Sequence, residues 1–126
     1  MRAASPISLR LGRPQRLTRN RDFMRVRQQG QRLAVGCVIA NWQICLPGTG
    51  PRLGVVTSKK IGNAVARSRA RRLLRESFRH HQHELPDSVE LVLVARPSIA
   101  DCDYARVERD FLTSVRRAGL LKPINS

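Results

Sequence analysis

The chain has 126 residues, 41% hydrophobic and only 4% aromatic, which is apolar material for one core but not for two independent domains. Twenty-four Lys and Arg against nine Asp and Glu give a formal charge of +15, and such a surface attracts polyanions, of which nucleic acid is the commonest. The hydrophobic content excludes disorder throughout, and no apolar run approaches the roughly 20 residues of a membrane span.

Residues 1–15 read as a flexible basic arm containing Pro6 and Pro14. The first 21 residues contain no acid, as in an organellar transit peptide, but the same basic character runs on into the first helix, which favours an arm. Thr18 or Asn20 can cap that short helix, with Asp22 in its first turn, Gly30 at its end, and Phe23, Val26 and Met24 on its apolar side. Residues 33–46 read as one extended segment bent at Gly36. Strict alternation places Leu33, Val35, Cys37 and Ile39 on one face, continued by Asn41 and Gln43, with Trp42 on the other. A Pro/Gly-rich turn over 47–51 leads into a short strand at 52–57 and a connection at 58–63.

The second helix is predicted from about Ala64 to His81, with Asn63 as its N-cap. Pro86 and Asp87 break the chain, and the nearly continuous apolar run 88–95 predicts a central strand covered on both faces. In the last helix, about 103–118, Tyr104, Val107, Phe111, Val115 and Ala118 form an apolar stripe. Gly119 stops it, and Leu120 or Leu121 folds back on its last turn. The element order predicts an α+β two-layer sandwich, α-β-β(-β)-α-β-α, with a further strand where 33–46 bends: one domain over 16–121 with a tail at 122–126.

The charge is not spread evenly. Residues 1–32 carry a net +8 and residues 59–79 a net +7, whereas 80–126 carry −1. In the second helix Ala66, Ala70, Leu73, Leu74, Ser77 and Phe78 share one arc; Ser68, Arg71, Arg72, Arg75 and Arg79 lie opposite, with Arg67 and Arg69 at the borders. Neighbouring guanidinium groups at this spacing repel, and Glu76 is the only acid on the helix, so an external anion is the natural counter-charge. Ser58-Lys59-Lys60 leads through Gly62 into the helix N-terminus, whose free amides favour phosphate. Cys37, Cys45 and Cys102 are odd in number and without a CxxC, so they read as small buried hydrophobes in a reducing, cytoplasmic setting. His80, His81 and His83 read as solvated imidazoles complementing a helix C-terminus rather than as metal ligands. No nucleophile motif, metal-ligand cluster or Walker loop is present, so no catalytic residue is assigned.

The stretch 59–76 resembles the signature KKxxxAVxRNRxKRxxRE of the bacterial ribonuclease P protein family. Lys59, Lys60, Ala64, Val65, Arg67, Arg69, Arg71, Arg72, Arg75 and Glu76 match it without a gap. Arg16-Leu17, Asp22-Phe23, Arg52-Leu53-Gly54-Val55 and Leu91 to Arg96 extend the resemblance over roughly 16–121. It implies an α-β-β-β-α-β-α order, a ribosomal protein S5 domain 2-like fold with a left-handed βαβ crossover, which is against the usual hand. It also implies an accessory subunit, bacterial and cytoplasmic, that binds a catalytic RNA and the 5′ leader of precursor tRNA during 5′-end maturation. Mg²⁺ would be held mainly by the RNA and substrate, none tightly by the protein, with no membrane and no obligate protein partner. The RNA contacts carried over are Lys59, Lys60, Arg67, Ser68, Arg69, Arg71, Arg72, Arg75 and Arg79, and the leader cleft is Phe23, Arg27, Asn41 and Arg16. Three positions depart from the pattern. Ser68 replaces the signature's Asn, Arg27 stands where an aromatic is common in the first helix, and Asn41 replaces an aromatic on the cleft strand, so the cleft is expected to use charge and hydrogen bonds more than stacking. The competing expectation is a basic ribosomal or RNA-chaperone protein without a role in cleavage; a DNA-binding regulator would need a helix-turn-helix, and none is visible.

Overall fold

The computed structural model describes residues 16, 17, 19–45 and 51–121. The predicted arm, the Thr18 cap, most of the 47–51 turn and the 122–126 tail lie outside these residues. Within them the chain runs α1 (Asn20–Gln29), β1 (Gln31–Val35), β2 (Val38–Ile44), β3 (Arg52–Val56), α2 (Ala64–His81), β4 (Val89–Ala95) and α3 (Tyr104–Arg117), with short 3₁₀ turns at Lys59–Ile61, Gln82–Glu84 and Pro97–Asp101. The four strands form one mixed sheet in the order β1-β2-β4-β3. The β1–β2 and β2–β4 pairs are antiparallel, and β3 lies parallel to β4 through the α2 connection. This is the predicted α+β order, and the apolar 88–95 run is the central strand.

Helix α2 and strand β4 follow from local signals. Asn63 caps α2, its side-chain oxygen accepting from the Ala66 amide at 2.9 Å. Ala70, Leu74, Ser77 and Phe78 are buried, and Ala66 and Leu73 pack at their border. Helix α3 is capped by Asp103 and ends in a Schellman motif: the Gly119 amide bonds to the Arg116 carbonyl and the Leu120 amide to the Val115 carbonyl, which brings Leu120 back into the core. Together α2 and α3 cover one face of the sheet, packing Leu74, Phe78, Val107, Phe111 and Val115 on Val38, Ala40, Trp42, Leu91 and Leu93. Helix α1 lies on the opposite face over a smaller cluster of Leu17, Val26 and Val92, flanked by Phe23, Val56 and Val94.

Three expectations are corrected here. The segment 33–46 is not one bent strand but a hairpin. Val35 pairs with Val38 across a two-residue turn in which Gly36 takes φ +56°, a conformation that favours glycine. The turn shifts the alternation by one residue. Leu33 and Val35 therefore share a face with Val38 and Ala40, while Ile39, Asn41 and Gln43 face α1. Arg19, not Asn20, occupies the N-cap of α1 and offers no side-chain bond. Met24 is exposed rather than part of the apolar side.

Beneath α1 the sheet carries a buried carboxylate. Glu90 on β4 accepts from Arg25 at 2.7 Å and Arg52 at 3.2 Å, and from the Cys45 thiol at 3.1 Å; Arg25 also reaches Asp22 and Gln43. Burial pushes the Glu90 carboxyl up, but the bonds from Arg25 and Cys45 and the charges of Arg25 and Arg52 outweigh it and hold the group below its usual range. Cys37 and Cys102 are buried among apolar side chains, as the sequence suggests, and burial raises the Cys37 thiol further from ionisation.

Candidate nucleic-acid interface

Two cationic surfaces lie on opposite faces of the sheet, one on α2 and one beneath α1. The first is the outward arc of α2 with the turn that precedes it. Ser58 closes that turn by accepting from the Lys60 amide, so Lys59 and Lys60 project from an ordered 3₁₀ element, and both are exposed. Asn63 takes the Ala66 amide and leaves the amides of Ala64 and Val65 without an intrahelical acceptor. Val65 is exposed beside them.

The arginines of α2 divide into anchored and free groups. Arg67 donates to the Gly62 carbonyl at 2.8 Å, and Arg71 donates to Thr57 at 2.8 Å and to Ser68 at 3.1 Å. Arg69 turns toward α3 and donates to the Cys102 carbonyl at 2.7 Å. Arg79 grips both oxygens of Glu76, at 3.0 and 2.6 Å, which lowers the Glu76 carboxyl. Arg72 and Arg75 have no hydrogen bond or ion pair among the described residues. Partial burial, with Arg16 and Arg71 nearby, disfavours the charge on Arg75. Like charges held together without an acid form a site for an external anion.

Arg16, expected in the leader cleft, does not line it and lies instead at the β3 edge, near Arg75. It bridges to Leu53 at the free edge of β3, and its carbonyl accepts from Arg52. The second surface is a cleft of about 340 Å³ between α1 and strands β1, β2 and β4, lined by Met24, Arg27, Gln28, Arg32, Ile39, Asn41 and Val94. The structure thus brings Arg27 and Asn41 together in one cleft. Asn41 is buried at its base, with its amide donating to the Val92 carbonyl at 3.3 Å. Phe23 does not line this cavity; its ring covers Gly54 so closely that a Cβ there would collide with it. Sequence reasoning missed Arg32, Met24 and Gln28. Arg32 was findable only through the hairpin register, which sets it opposite Asn41.

The histidines correct another expectation. His81 is not a solvated imidazole: Nδ1 meets Glu84 at 2.8 Å and Nε2 meets Glu108 at 2.7 Å. Burial opposes its charge, but the two carboxylates outweigh burial and raise it above its usual value, and His81 clasps α2 to α3 through both ring nitrogens. His80 bonds through Nδ1 to the Tyr104 hydroxyl at 2.9 Å. Among the described residues no group of three or more His, Cys, Asp or Glu converges as a metal site.

The family profile described as Ribonuclease P matches residues 11–119. The chain is 33% identical over 109 residues to the ribonuclease P protein component of Alkaliphilus metalliredigens, covering 84% of this chain and 95% of that one. It is 34% identical over 116 residues to that of Brevibacillus brevis, covering 87% of each. Among solved structures, the ribonuclease P protein from Staphylococcus aureus superposes with a TM-score of 0.74 at 26% identity, over 91% of this chain and 98% of that one. The one from Thermotoga maritima gives 0.72 at 25% identity, over 81% and 96%.

Proposed function

The chain belongs to the ribonuclease P protein family, and on that premise we propose that it grips the enzyme's RNA through the outward face of α2 and the 5′ leader of precursor tRNA through the α1–sheet cleft. As a protein component of ribonuclease P it is part of a ribonucleoprotein endonuclease, with an RNA subunit as partner. The observation that carries the assignment of faces is the division of charge on α2: Arg72 and Arg75 are left without acidic partners beside Lys59 and Lys60, while Glu76 is consumed by Arg79.

In this arrangement the chain's own groups bind and position. Arg72, Arg75, Lys59 and Lys60 take phosphates of the RNA; Arg67 and Arg71, already tied to backbone and Thr57, present oriented guanidinium groups to the same surface. Arg27 and Arg32 flank a leader strand whose bases meet Asn41 and Ile39 in the cleft. Cleavage chemistry and its Mg²⁺ belong to the RNA and substrate. The protein lowers phosphate–phosphate repulsion, so that less Mg²⁺ is needed to bring the two together. The work is done in the bacterial cytoplasm.

Reconstitution with a bacterial ribonuclease P RNA tests this. Precursor tRNA bearing a 5′ leader should be cut at a Mg²⁺ concentration where the RNA alone is slow, and the chain alone should cut nothing. An unchanged Mg²⁺ requirement, or no complex with the RNA, overturns the assignment.

A further inference from the structure

Between α2 and α3 lies a second cavity of about 310 Å³, lined by Arg72, Leu73, Glu76, His80 and Tyr104, of which the phosphate contacts above use only Arg72 at the mouth. Its shape is set by two rings. His80 and Tyr104 stand edge to face, with centroids 6.0 Å apart and planes at 88°, and so form two walls of a corner. Both rings are fixed. Arg79, which can only donate, lies 3.1 Å from His80 Nε2; that nitrogen accepts, so the proton sits on Nδ1 and is donated to the Tyr104 hydroxyl at 2.9 Å. The hydroxyl in turn faces Glu108 at 3.4 Å. Leu73 supplies an apolar floor. At the rim stand Arg72, exposed and without a hydrogen bond or ion pair among the described residues, and Glu76, whose charge Arg79 offsets.

A rigid right-angled aromatic corner with an apolar floor suits a flat, unsaturated ring that stacks on one wall and meets the edge of the other. The cation at its mouth, on a helix within a net +7 segment, selects a flat ring that carries an anion. We propose that the corner receives one unstacked nucleotide of the RNA partner, its base against Tyr104 and His80 and its phosphate toward Arg72. This rests on the RNA-binding reading above and adds to it. Besides phosphate contacts, which carry no sequence information, α2 and α3 would jointly engage a base and fix the protein's register on the RNA.

The chain has a single Tyr, so incorporation of 3-fluorotyrosine places one fluorine reporter at this corner. With a bacterial ribonuclease P RNA as probe, the resonance should move when the complex forms, and inorganic phosphate alone should leave it in place. Tyr104→Ala should weaken RNA binding by about 5- to 150-fold, the range for loss of one stacked base, while Tyr104→Phe, which keeps the ring, should stay within about threefold. A resonance that does not move in a complex shown by mobility shift to have formed overturns the nucleotide assignment and leaves the RNA-binding reading standing. A shift with phosphate equal to that with RNA overturns it in favour of an anion site. Failure of the wild-type chain to bind the RNA overturns both. The reporter is on the wild-type ring, so the outcome does not depend on the stability of Tyr104→Ala.

Discussion

Arg25 and Arg75 are the same residue type on two helices, and they end in opposite surroundings. Arg25 on α1 meets Glu90, Asp22 and Gln43, and its charge is held more firmly than in water. Arg75 on α2 is partly buried near Arg16 and Arg71 with no acid facing it, and its charge is disfavoured. The first arginine completes a network that fixes α1 to the sheet; the second leaves an electrostatic debt that an incoming polyanion relieves. A count of arginines does not distinguish these roles. The location of the carboxylates does.

The contrast can be broken first at the two faces of α2. Leu74 and Arg75 are neighbours in sequence, but Leu74 is fully buried. Leu74→Ala should destabilise by about 2–5 kcal/mol, as truncation of a buried leucine does, without changing the salt dependence of RNA binding once folded. Thermal melts and binding isotherms decide it, and equal losses of stability at Leu74 and Arg75 would mean that both faces serve the core.

A smaller effect is expected under α1. Glu90→Gln removes the acceptor shared by Arg25 and Arg52, and urea denaturation at neutral pH should show a loss of about 1.5–3 kcal/mol, the scale of a hydrogen bond to a charged group. Affinity of the folded variant for the RNA subunit should hold, because the freed arginines lie on the side of the sheet opposite α2.

Arg72→Ala and Arg75→Ala should do the reverse. Melting should change by less than about 0.5 kcal/mol, as for surface positions without partners. Each should reduce the slope of log affinity against log salt by about 0.7–0.9, one released counterion per phosphate contact. A slope that stays flat through both substitutions would show that neither guanidinium meets a phosphate.

The smallest expected effect is in the pH profile, and the two ion-paired sites bend it in opposite directions. His81 is raised in the folded state, so its contribution is full below the unfolded value of about 6.5 and fades as pH rises through the folded value. Glu90 is lowered, so its contribution is full above the unfolded carboxylate value of about 4.3 and fades as pH falls through the folded one. His81→Gln should flatten the alkaline limb of stability against pH and leave the acid limb, and Glu90→Gln should do the opposite.

What could be read in advance followed the range of the interactions. The Asn63 cap, the α2 arc and the Gly119 stop are set within a few residues of one another, and the structure shows them where the sequence places them. The hairpin at Gly36 was not legible, because an unbroken apolar run hides a two-residue turn that lacks the usual Asn-Gly signal. The two carboxylates on His81 come from the next 3₁₀ turn and, 27 residues away, from α3, and Arg25 finds Glu90 on another element; no local pattern announces such pairs. In the cleft, Arg27 and Asn41 were visible as departures from the family's pattern, whereas Arg32 needed the strand register.

The tip of the β1–β2 hairpin bears on how the chain is made. The Cys37 amide is held by the Asp110 carboxylate at 3.0 Å, across 73 residues of sequence, and that carboxylate fills the space over Gly36 so tightly that a Cβ there would overlap it. The first hairpin of the sheet is therefore latched by the last helix. During synthesis on the ribosome the sheet can pair its strands once β4 has emerged, but the tip retains an unanswered amide and α2 lacks its α3 neighbour until the C-terminal helix follows. The RNA-facing helix thus gains its full packing only after α3 has emerged, so the binding surface matures later than the sheet that carries it.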